Sequence, residues 1–119
     1  MSTPQFHQKR LSGQLAHEIA WTIANTLNDP RIAPIVTVTE VRLAPDMKSA
    51  TVFVGIMGEE KEVKSTLIAL ERATPFIQRT VAQRVRVKHF PQLQFKLDDS
   101  LDRGKRIDDL LDQIKDDLV

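Results

Sequence analysis

LIALERATPFIQRTVAQRVRVKHFPQLQFKL, residues 67–97, passes from helical to strand periodicity and, after Glu71, holds cations with no carboxylate. Val63, Leu67, Leu70 and Ala73 fall on one stripe of a helix. Thr74-Pro75 then intervenes, and proline lacks an N–H and clashes with the preceding turn. The reading is a kink or restart, with Thr74 capping the new helix and Pro75 at its first position. The second helix is expected to bury Ile77, Val81, Ala82 and Val85, with Phe76, Arg79, Gln83 and Arg86 opposite. Phe90-Pro91 breaks it, and Gln92–Leu97 alternates with Leu93, Phe95 and Leu97 inward. A helical connection before this strand implies a parallel partner.

Upstream, residues 1–6 read as a frayed start. From about His7 the residues Leu11, Leu15, Ile19, Ile23 and Leu27 recur every four, with Ala16, Ala20 and Ala24 alongside. Trp21 falls on the other side, near Arg10, Gln14, His17 and Asn28, where it either packs on the N-terminal arm or stacks on a partner. Asn28-Asp29-Pro30-Arg31 stops that helix. Ile35–Leu43 is β-branched, but its phase slips. Val36 and Val38 share one face and Val41 and Leu43 the other, so an extra residue near Thr39–Glu40 predicts a β-bulge. Ala44-Pro45-Asp46-Met47 is a turn. Lys48–Ile56 then alternates, with Ala50, Val52, Val54 and Ile56 inward, which makes an antiparallel hairpin ended by Met57-Gly58. Glu59, Glu60 and Glu62 favour the start of the next helix. Beyond Asp102, Ile107, Leu110, Leu111, Ile114 and Leu118 predict a last helix with an acidic opposite side.

The chain of 119 residues, 41% hydrophobic, is expected to form one α+β domain over residues 1–119. Its order is α-β-β-α-kink-α-β with an additional C-terminal helix around a three-stranded mixed sheet. The absence of cysteine removes disulfides and thiolate chemistry. The start, MSTPQFHQKRLSG, lacks the apolar run of a secretory signal, and no window suits a membrane span. These features predict a cytoplasmic protein.

The formal net charge of +1 conceals two blocks of opposite sign. From Arg72 to Leu97 there is no carboxylate but Arg72, Arg79, Arg84, Arg86, Lys88 and Lys96; eight aspartates follow Leu97. A solvated helix normally interleaves both signs for i,i+4 pairs, so the basic block points to phosphate. Cations on both sides of a helix break would also meet the free N–H groups of the restarted helix. Phe76 either stacks on a base or packs half-buried. Catalytic readings find less: His7, His17 and His89 lack metal-ligand spacing, and Gly13, Gly55, Gly58 and Gly104 are isolated. Asp98-Asp99-Ser100-Leu101-Asp102 suits a helix cap better than a calcium loop. No cofactor, metal or enzymatic activity is expected.

The element order resembles that of the type II KH domain, an RNA-binding fold. Asp29-Pro30-Arg31, VTVTEVRLAPDMKSATVFV (36–54) and PQLQFKLDDSLDRGKRIDDLL (91–111) look like ribosome-binding factor A. That family has an Ala-x-Gly kink between its central helices where this chain has Ala73-Thr74-Pro75. The arginine that usually follows three residues on is Gln78, with Arg79 next to it. The resemblance implies a monomeric, non-catalytic assembly factor that binds the small (30S) ribosomal subunit or its precursor. It also implies support of late 16S rRNA maturation, notably 5′-end processing, and of growth in the cold. The expected RNA-binding residues are Lys9, Arg10, Arg31, Arg72, Thr74, Arg79, Gln83, Arg84, Arg86 and Lys88. The alternative is a protein-interaction module using the acidic last helix or an open sheet face with Thr37, Thr51, Phe53, Gln94 and Lys96.

Overall fold

The protein is described by a computed structural model covering residues 4–27, 29 and 36–98. The expected last helix, the start of the first strand at Ile35, and the Pro30-Arg31 stop lie outside the described residues. The order is α1 (Pro4–Thr26), β1 (Val36–Leu43), β2 (Ser49–Ile56), α2 (Glu60–Arg84) and β3 (Gln92–Leu97).

The three strands form one mixed sheet in the order β1-β2-β3, antiparallel across the first pair and parallel across the second. The phase slip in β1 resolves as expected. Val38 pairs with Val54 and Glu40 with Phe53, so Thr39 is the extra residue of a bulge. Val36, Val38, Val41 and Leu43 thereby all reach the core side. The turn into β2 closes through Met47 N–H to the Ala44 carbonyl (2.8 Å), with Met47 itself at φ 59°.

Both helices cover one face of the sheet, α1 over β1 and α2 over β3, and they touch each other. Leu15, Ile19, Leu70, Ile77, Val81, Val52 and Val54 are fully buried between these layers. In α1 the buried face drifts from the expected one. A four-residue step overshoots a full turn by about 40°, so Thr22 joins the core whereas Ala20 and Ala24 are exposed. The buried Thr22 hydroxyl donates to the Glu18 carbonyl (2.8 Å), so its burial leaves no polar group unsatisfied.

The expected restart at Thr74-Pro75 does not occur: α2 runs through Pro75 for 25 residues. Two features accommodate the proline. Pro75 and Glu71 lie on the exposed side, so the carbonyl that loses its helical donor faces water. Leu70, Ile77 and Val81 on either side bury against one surface, which holds both halves in register. Thr74 is not a cap; its hydroxyl donates to the Leu70 carbonyl (3.0 Å) within the same helix. The N–H groups after Pro75 are therefore spent inside the helix and do not form an anion site. Ala82 is exposed rather than buried, because it sits about 140° round the helix from Ile77. The N-terminal expectation holds, with Glu60 and Glu62 in the first turn.

Candidate nucleic-acid interface

Because α2 is uninterrupted, Arg72, Phe76, Arg79 and Gln83 recur at i, i+4, i+7 and i+11. These offsets keep them within about 40° of one line. All four are exposed, Phe76 at 41%. The result is a ridge about 16 Å long along the helix, with an aromatic ring between two guanidinium groups. Guanidinium groups donate in a planar fork to phosphate, and an exposed ring offers a stacking face.

Arg84 belongs to a different constellation. It lies near the end of α2, turned toward α1, where its Nε donates to the Glu18 carboxylate. Its guanidinium carbon sits 4.2 Å from the centroid of the Trp21 ring. Trp21 therefore packs on Arg84 and remains 39% exposed. The Arg84 Nε is engaged by Glu18, so a phosphate there would meet a guanidinium already paired with a carboxylate. Nothing local in the sequence signals this pairing, since its members come from separate helices.

Arg86 lies beyond α2, which ends at Arg84 with Val85 extended (φ −116°, ψ 121°). It is not the last member of the helical ridge. It lines a groove of about 580 Å³ with Gly13, Gln14, His17, Glu18 and Arg84. Lys88, two residues on, lines a second groove with Lys48 and His89, neither of them among the sequence-derived site residues. Lys9 and Arg10 are exposed in the first turns of α1. That end of the helix approaches the β1–β2 turn, where Gln8 Nε2 donates to the Pro45 carbonyl (3.3 Å). Thr74 is half-buried and lies off the Arg72–Gln83 ridge. Arg31 is outside the described residues. Among the described residues, no three of His, Asp and Glu gather as a metal site, and no helix is long and apolar enough to cross a membrane.

The sequence profile described as ribosome-binding factor A matches residues 7–111. The chain belongs to the ribosome-binding factor A family. It is 41% identical to ribosome-binding factor A of Halothermothrix orenii over 107 residues, which is 90% of this chain and 87% of that one. The crystal structure of ribosome-binding factor A from Thermus thermophilus is similar, with a TM-score of 0.68 and 34% identity. That comparison covers 76% of this chain and 93% of the Thermus chain. A homology model of the Thermus thermophilus protein, fitted into a cryo-EM map of a 30S–RbfA complex, matches at a TM-score of 0.63 and 33% identity, with the same coverage.

Against the family resemblance, two local departures acquire a structural account. Pro75, in place of the family's glycine, leaves a continuous helix. Gln78 points inward: its Oε1 accepts the Leu93 N–H (3.1 Å) and ties α2 to β3. The guanidinium on this turn is supplied instead by Arg79, which is exposed.

Proposed function

We propose that the protein is a non-catalytic RNA-binding factor that associates with the small (30S) ribosomal subunit or its precursor and assists late 16S rRNA maturation. The observation that carries this reading is the ridge of Arg72, Phe76, Arg79 and Gln83, exposed on one helix and free of carboxylates. Family membership and the Thermus relative fitted into a map of a 30S complex support the small subunit as the partner. The order α-β-β-α-β, with its last strand parallel to the second, supports a type II KH-like arrangement in which the two central helices have merged. The protein acts as a cytoplasmic monomer and favours an rRNA conformation present before the subunit is ready for translation, leaving when that state is lost.

The opposite sheet face is a poorer candidate. Arg42 there lies over the Phe53 ring (5.1 Å) and pairs with Glu40, so its charge is already engaged. Co-sedimentation with small subunits and their precursors across a salt series tests the proposal. Binding should fall steeply as salt rises, as counterion release requires. Retention that is indifferent to salt and to ribonuclease would overturn it in favour of a protein partner.

A further inference from the structure

The groove holding Lys88 has a second half that the ridge on α2 does not use. Its volume is about 590 Å³; Leu11, Met47, Val87 and Phe90 supply its apolar lining, and Lys48, Lys88 and His89 with one carboxylate, Asp46, supply its polar rim. Leu11, Val87 and Phe90 pack against the hydrophobic core, so the floor is fixed. The rim is fixed as well. The Gln92 N–H donates to the Lys48 carbonyl (2.9 Å), joining the end of the α2–β3 link to the β1–β2 turn. The Lys48 N–H in turn donates to Asp46 Oδ1 (3.0 Å), which engages a carboxylate oxygen lining the groove.

Val85 is buried and Val87 half-buried, whereas Arg86 and Lys88 are exposed. The groove volume lies in the ~300–1,000 Å³ range of ligand clefts. A cationic rim over an apolar floor suits a ligand with an anionic edge and a flat apolar body.

We propose that this groove takes one unstacked nucleotide of single-stranded RNA, base on the floor and phosphates between Lys48 and Lys88. The proposal rests on the RNA-binding reading above and adds a second contact, separate from the α2 ridge.

The test is titration of the full chain with a uridine hexanucleotide, its abasic counterpart and hexaglutamate, followed by NMR at Leu11, Met47 and Val87 methyls. The hexanucleotide should shift these methyls and bind more tightly than the abasic strand. Lys48→Ala with Lys88→Ala should weaken it and flatten the salt slope by about 0.7 per lost contact. Equal binding of the abasic strand would remove the base from the groove. Tighter binding of hexaglutamate would make it a peptide site. If this double variant binds RNA and subunits normally while Arg72→Ala with Arg79→Ala does not, the groove proposal fails alone. If neither pair matters, the RNA-binding reading fails with it.

Discussion

Gly58 follows β2 at φ 149°, a region in which side chains other than glycine are strained. A Cβ there would also stand 3.2 Å from the Glu62 Cβ and 2.6 Å from its Oε2. Gly58→Ala should therefore cost about 1–3 kcal/mol, seen as a lower melting temperature; an unchanged melt would contradict the assigned backbone. In the sequence Gly58 is legible only as the end of a strand. Arg84 is legible only as one more cation, because its partners Glu18 and Trp21 come from α1. Trp21 is the single tryptophan of the chain, so its emission reports this contact directly. Arg84→Ala should uncover the ring and move the emission to longer wavelength. The ion pair itself is partly solvent-exposed, 44% on the arginine side, and contributes little to stability. An unshifted spectrum would mean that the two side chains do not stack in solution.

Pro75 shows where single-residue chemistry loses to packing. Its missing N–H and its ring oppose a helix, yet Leu70 and Ile77 bury on the two sides of it and α2 continues. Such an override is invisible locally, since the penalty belongs to one residue and the compensation to the whole face. The bulge at Thr39 is the opposite case. A phase slip between Val38 and Val41 can be repaired only by one inserted residue, so that irregularity is written in the alternation itself. Pro75→Ala supplies the absent donor to Glu71 in a helix already formed. The variant should melt higher, by an amount corresponding to about 1–3 kcal/mol. A lower melting temperature would show that the proline ring is needed where it stands.

Across the whole molecule, the antiparallel hairpin and most of the core follow from periodicity, because burying one face imposes a register, and the parallel third strand follows from the helical connection before it. The candidate interface follows only in part. The carboxylate-free run from Arg72 to Leu97 is contiguous in the chain but not in space. Folding sends Arg72 and Arg79 to an exposed ridge, Arg84 to Glu18, and Lys88 to a groove shared with Lys48. The central claim is that the ridge, rather than net basicity, holds RNA phosphates. The most direct measurement is the salt dependence of small-subunit binding by Arg72→Ala with Arg79→Ala. Both side chains are exposed, so the melting temperature should stay within the range of about 0.5 kcal/mol typical of surface changes. The slope of log affinity against log salt should become shallower by about 1.4–1.8, for two lost phosphate contacts. An affinity and slope equal to those of the parent chain would contradict the account.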